Sequence, residues 1–260
     1  ILFDSATGDA SFTPCAITTE AHFNNVEFDS TATTGQTWTL ATNNLRWAGT
    51  MTIEDGGAES VQNTLATTDL TLAGGSLTIG TGGTLTANAS TVTFTSVTMT
   101  GGTDGTITVT TGAWTVSGNW NTSGVGSTYT QGTGIVTFDA TATITLLSTD
   151  NTFDDLTISA GTSTMASAVI VTNTLSVTGT LATVDFALTT GPMVINNAGV
   201  LTANASTVIA TTVTMTGGVS GTITITTGAW TVSGSWNTSG AGSVFTQGTG
   251  IHTFNATATI

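Results

Sequence analysis

Phe254, Ala256, Ala258 and Ile260 alternate with Asn255, Thr257 and Thr259, and Ile107 and Val109 alternate with Thr106, Thr108 and Thr110. Alternation with a period of two places the apolar set on one face of a strand and threonine on the other. The same parity predicts that Phe138, Ala140, Ala142 and Ile144 point inward, as do Phe254, Ala256 and Ala258, with Thr141 and Thr143 outward. Glycine or Gly-Ser steps break the pattern after every few residues, as at Gly101-Gly102, Gly112, Ser117-Gly118, Gly124, Gly132 and Gly134. Short strands joined by tight turns follow from this punctuation.

The chain also repeats on a longer scale. TVSGNWNTSG at 115–124 returns as TVSGSWNTSG at 231–240, part of a gapless match of 85–144 with 201–260 at an offset of 116, with 48 of 60 residues identical. A fainter echo links Phe23-Asn24-Asn25-Val26-Glu27-Phe28 to Phe153-Asp154-Asp155-Leu156-Thr157-Ile158, and Phe3-Asp4, Phe138-Asp139 and Phe254-Asn255 occupy comparable places. The expected organisation is one unit over 1–134, a second over 135–250 and the start of a third over 251–260. Segments 1–22 and 44–62 fit the pattern least. Ile260 corresponds to Ile144, inside a strand pattern that continues into Thr145-Leu146-Leu147, so the chain is expected to be a window of a longer repetitive protein.

Two all-β folds accommodate such units. Tandem β-sandwich domains of about 100 residues suit the unit length. A parallel β-solenoid, stacking short strands coil upon coil, suits the even spacing and the small inward residues better. Half-motifs such as Asn63-Thr64-Leu65 and Asn173-Thr174-Leu175 recur with changed spacing, which a solenoid absorbs and a sandwich does not. At about 20 residues per coil, the chain would hold about 11–13 coils.

Composition narrows the function classes. Only 6% of residues are charged, with one basic residue (Arg46) against 15 acidic ones, for a net charge of −14. That balance repels phosphate backbones and anionic lipid, so neither nucleic acid nor a membrane surface is an expected partner. No apolar run approaches the roughly 18 residues of a membrane span. Threonine makes up about a quarter of the chain; it is β-branched, and its hydroxyl suits a solvated face. Cys15 has no partner cysteine and reads as a small buried hydrophobe.

The phrases TFDDLTIS (152–159), NTLSVTGTLAT (173–183), WTVSGNWNTSG (114–124) and GTGIVTFDATATI (132–144) resemble repeats of very large bacterial and archaeal cell-surface proteins, described as adhesin-like or surface-layer-like. The resemblance implies a right-handed parallel β-helix and an extracellular or cell-surface location.

Candidate chemistry is thin. His22 and His252 lack metal-binding spacing, and His252 aligns with Val136. Asp154-Asp155 aligns with Asn24-Asn25 and does not match the spaced ligands of a calcium loop; these side chains are expected to bond turn backbone instead. A lyase-type site would need clustered Asp, Arg or Lys, so no catalytic residue, metal or cofactor is expected. Trp114 and Trp120, recurring as Trp230 and Trp236, could form a sugar platform, but their parity favours the core. Asn88, Asn121, Asn204, Asn237 and Asn255 each begin an Asn-x-Ser/Thr acceptor for N-glycosylation. The leading expectation is therefore a structural segment of a filament, surface layer or adhesin stalk that self-associates end to end or laterally and carries glycans. The alternative is a glycan- or ice-binding module using an outer Thr/aromatic face. Thr106/Thr108/Thr110 and Thr222/Thr224/Thr226 suit a hydroxyl-methyl array. Such an array, however, needs the same face on every coil, and the Thr pairs change spacing along the chain.

Overall fold

Every strand pairing among the described residues is parallel, apart from an isolated antiparallel bridge between Leu147 and Asp150. The computed structural model describes residues 1–4, 9–14, 23–30, 35–55, 62–99, 105–216, 218, 221–255 and 260. It is an all-β solenoid of about 10 turns, without a helix among the described residues. The chain divides into two compact units, 1–134 and 135–260.

In the first unit each complete turn lays down three short strands on three walls. The first wall stacks Leu2–Phe3, Val26–Phe28, Thr50–Ile53, Ser76–Ile79, Ser96–Met99 and Trp120–Thr122. The second stacks Ala10–Phe12, Thr37–Leu40, Asn63–Thr67, Gly83–Asn88, Thr106–Val109 and Thr128–Thr130. The third, with the shortest strands, stacks Leu45–Arg46, Leu72–Ala73, Val92–Phe94 and Ala113–Val116. In the second unit one wall runs from Ala142–Leu146 through Thr162–Met165, Thr180–Ala182, Val200–Asn204 and Thr222–Ile225 to Val244–Thr246. Its other walls merge in the strands Leu188–Ile195 and Val208–Met215, each of which carries two separate stretches of pairing.

Alternation sets the interior. Leu85, Ile107, Leu65 and Trp38 stack in register on the second wall of the first unit and are buried. Each such aliphatic side chain contributes about 1.5–3 kcal/mol on burial. Aromatic rings thread the same interior: Trp47, Phe94, Trp114, Trp120 and Tyr129 follow one another with ring centroids 5.4, 5.6, 5.9 and 5.1 Å apart. Trp114, Trp120, Trp230 and Trp236 are all core residues.

Close stacking requires glycine where backbones nearly touch. A Cβ on Gly132 would lie 1.8 Å from the carbonyl oxygen of Thr110, and one on Gly248 would lie 1.8 Å from that of Thr226. These are the same position in the two copies of the repeat.

Phe138, Ala142 and Ile144 are buried and Thr141 and Thr143 exposed, as the parity requires. Two positions differ. Ala140 is half-buried because it lies in the turn between Ile135–Phe138 and Ala142–Leu146. Phe254 is 37% exposed. Its strand His252–Phe254 pairs with Trp230–Val232 on one side, whereas the equivalent Ile135–Phe138 is also covered by Asp155–Ile158. Ala256, Ala258, Cys15 and His22 lie outside the described residues.

The coil count is lower than the expected 11–13 because the first turns of the chain are longer than 20 residues. Paired residues lie 28 apart at Ala10 and Trp38 and 20 apart at Leu65 and Leu85. Residues 44–55, expected to fit poorly, form regular parts of the stack through Leu45–Arg46 and Thr50–Ile53. The faint echo is real in three dimensions. Phe3 pairs with Phe28 as Phe138 pairs with Ile158.

Candidate interaction faces

The Asn and Asp side chains near strand ends cap the following turn. Asp9 Oδ1 accepts from the Thr37 N–H at 2.9 Å, Asn25 from Thr50 at 2.9 Å, Asn44 from Thr71 at 2.9 Å and Asp155 from Thr174 at 2.8 Å. Asp69 and Asp185 receive the N–H groups of Ala89 and Ala205 at 3.1 and 3.0 Å. Asn25 and Asp155, aligned in sequence, therefore do one job: each satisfies a strand-end donor that the ladder leaves over. No group of three His, Cys, Asp or Glu among the described residues is placed to hold a metal.

The outward positions of the second wall form two columns. Thr37, Thr64, Thr84, Thr106 and Thr128 stand in register on five successive turns. Beside them stand Ser11, Thr39, Ala66, Thr86, Thr108 and Thr130. The expectation that varied spacing breaks the array is thus overturned. Members of the first column lie 27, 20, 22 and 22 residues apart in sequence, yet pair directly, because corners of different length absorb the difference. The second unit repeats the arrangement with Thr162/Thr164, Thr180/Ala182, Val200/Thr202, Thr222/Thr224 and Val244/Thr246 on successive turns.

The five glycosylation candidates fall into different settings. Asn88 and Asn204 have left-handed backbones, with φ of 48° and 46°, and are half-buried. The Asn88 side-chain amide donates to the Thr67 carbonyl at 2.5 Å. Asn121 and Asn237 instead open Asx turns. Asn121 Oδ1 accepts from the N–H and hydroxyl of Ser123 at 3.1 and 2.7 Å, and Asn237 Oδ1 accepts from those of Ser239 at 3.0 and 2.7 Å. Asn121 is half-buried and Asn237 exposed. Asn255 is exposed, and Thr257 of its motif lies outside the described residues.

In the second unit Trp236, Phe245, His252 and Phe254 line a cavity of about 910 Å³ together with Asn237 and Gln247. The His252 ring sits 5.7 Å from Phe245 and 6.4 Å from Trp236. Burial lowers its pKa, and its Nε2 has no hydrogen-bond partner. Val136 fills the equivalent place in the other copy and is buried.

Sequence reasoning missed one polar pair. Thr67 and Ser90 are buried, their hydroxyl oxygens 2.6 Å apart, and Thr67 also donates to the Ala87 carbonyl at 3.0 Å. Thr183 and Ser206 repeat this at 2.5 Å, with Thr183 donating to Ala203 at 3.0 Å. The signal was present: Thr64-Leu65-Ala66-Thr67 and Thr180-Leu181-Ala182-Thr183 share the offset of 116, so the repeat begins about one turn earlier than residue 85. No family model, curated protein or solved structure matches the chain.

Proposed function

We propose that this chain is a structural segment of an extracellular filament, surface layer or adhesin stalk, and that it self-associates end to end. The observation that carries the reading is the stack itself: parallel strands build about 10 turns from near-identical units, 85–144 and 201–260 sharing 48 of 60 residues, so that each turn offers a parallel edge to the next. Parallel edges with unpaired backbone groups and apolar surface favour another strand as partner. One basic residue cannot supply ion pairs for the contact, so hydrogen bonding and apolar packing carry it. The proposed location outside the cell rests on the resemblance of the repeat phrases to those of bacterial and archaeal surface proteins.

Analytical ultracentrifugation of the 260-residue chain at low salt and at molar salt tests the proposal. Oligomers that persist in molar salt support it. A monomer at all concentrations, or dissolution of the oligomer by salt, contradicts it.

A further inference from the structure

Packing alone does not explain the choice of tryptophan in the aromatic row of the first unit. Trp114 and Trp120 are fully buried, and neither Nε1 has a hydrogen-bond partner. A buried donor left unsatisfied costs free energy that phenylalanine would avoid. Both indoles nevertheless recur in the second copy as Trp230 and Trp236, with the Trp230 Nε1 again unpartnered. Beyond that donor, an indole differs from a phenyl ring in giving up an electron to a one-electron oxidant.

The row is built for electron exchange between neighbours. The Trp114 and Trp120 ring centroids lie 5.9 Å apart with planes at 61°, and those of Trp120 and Tyr129 lie 5.1 Å apart at 76°. These are edge-to-face pairs in direct contact, so an electron passes from ring to ring without a carrier. Burial then sets the direction. An indole that has lost an electron is a cation, and a charge among apolar side chains is costly. With no acceptor at Nε1, neither Trp114 nor Trp120 sheds that charge by passing its proton to the protein. A phenol that loses an electron also loses its hydroxyl proton and ends as a neutral radical. Tyr129 is the one tyrosine of the chain, and it keeps 3% of its surface exposed where Trp114 and Trp120 keep none.

The second copy holds the same geometry without the phenol. Trp230 and Trp236 lie 5.6 Å apart, and Phe245 stands 5.0 Å from Trp236 in the place that Tyr129 takes in the first copy. Phenylalanine does not give an electron to an indole cation, so this row has donors and no terminus.

We propose that Trp114, Trp120 and Tyr129 form a relay that collects one-electron oxidation of the core at Tyr129. A one-electron oxidant, of the class of oxygen-derived radicals, takes an electron from Trp114 or Trp120 and is itself reduced. Tyr129 returns an electron to the indole cation and gives its hydroxyl proton to a solvent base. The products are intact tryptophan and a neutral phenoxyl radical, and the one bond broken is the phenol O–H. The packed indoles are thereby spared. This function is separate from the end-to-end association proposed above and does not depend on it.

Laser flash photolysis of the 260-residue chain tests the relay. Light that tryptophan absorbs and tyrosine does not ejects an electron from the buried indoles, and dissolved oxygen takes it up as superoxide. Any phenoxyl absorption then belongs to Tyr129, the only tyrosine. In the wild type it should grow as the indole-radical absorption decays, at a rate independent of protein concentration. Tyr129→Phe, which copies the residue found in the second unit, should lengthen the life of the indole radical. Trp120→Phe should slow the growth and lower its yield. Phe245→Tyr should raise the phenoxyl yield, and it carries the test should circular dichroism show that Trp120→Phe does not fold. No phenoxyl signal in the wild type, growth that quickens with protein concentration, or an unchanged indole-radical lifetime in Tyr129→Phe overturns the proposal. So does an unchanged growth rate in folded Trp120→Phe or an unchanged yield in Phe245→Tyr.

Discussion

The Thr67 hydroxyl lies 2.6 Å from the Ser90 hydroxyl in the buried interior of the first unit, and Thr183 and Ser206 reproduce the contact 116 residues later. In each pair the threonine also donates toward a carbonyl of the neighbouring turn. Removing one partner of a buried pair leaves the other unsatisfied, at a cost of about 1–3 kcal/mol. Thr67→Val should therefore lower unfolding stability by that amount. Replacing both partners, as Thr67→Val with Ser90→Ala, should cost less than the sum of the single changes. A double-mutant cycle by urea denaturation measures the coupling, and strict additivity would show that the contact is not formed.

Trp114 carries a second consequence of burial. Its ring is fully buried against Phe94 and Trp120, but its Nε1 has no hydrogen-bond partner. Trp114→Ala should cost about 3–5 kcal/mol through the cavity it leaves. Trp114→Phe removes the orphan donor and keeps most of the apolar contact, so it should cost much less. Thermal unfolding of both variants gives the comparison.

Glu54 should make the first unit more stable in mild acid than its acidic composition alone requires. Burial raises its pKa, and the carboxylates of Asp29 and Glu27 raise it further. The folded state then holds the proton more tightly than the unfolded chain, so the Glu54 contribution is full below its ordinary pKa and is lost as pH rises through the raised value. Glu54→Gln should raise the midpoint of thermal unfolding at pH 7 and leave it nearly unchanged at pH 4.

Glycan attachment should follow side-chain availability. In a host that modifies Asn-x-Ser/Thr, peptide mapping by mass spectrometry should find sugar at Asn237 and Asn121. Asn88 should be bare, because its amide nitrogen is engaged with the Thr67 carbonyl. Occupancy at Asn88 with none at Asn237 would contradict the assignment.

The alternation of Phe138, Ala142 and Ile144 with Thr141 and Thr143 was legible because one strand face is dry and the other wet. The solenoid followed from short strands and repeated glycines. Stacking register was not legible. Thr37 and Thr64 are 27 residues apart and Thr64 and Thr84 are 20 apart, yet all three share a column. Corner length varies freely on the surface, while backbone ladders and the inward rows of Trp38, Leu65 and Leu85 fix which residues meet. The Thr array was therefore hidden in the linear spacing, and the Thr67–Ser90 pair was hidden because each residue alone looks like an outward polar one.

Residues far apart in sequence lie in one column of the parallel stack. Thr37 and Thr128 are four turns apart, so their backbones should be about 19 Å from each other. Spin labels at Thr37→Cys and Thr128→Cys, in a chain carrying Cys15→Ser, report this separation by pulsed electron resonance. The expected result is a narrow distribution centred within about 10 Å of that value, allowing for the label arms. A broad distribution, or one beyond about 40 Å as separate sandwich domains would give, contradicts it.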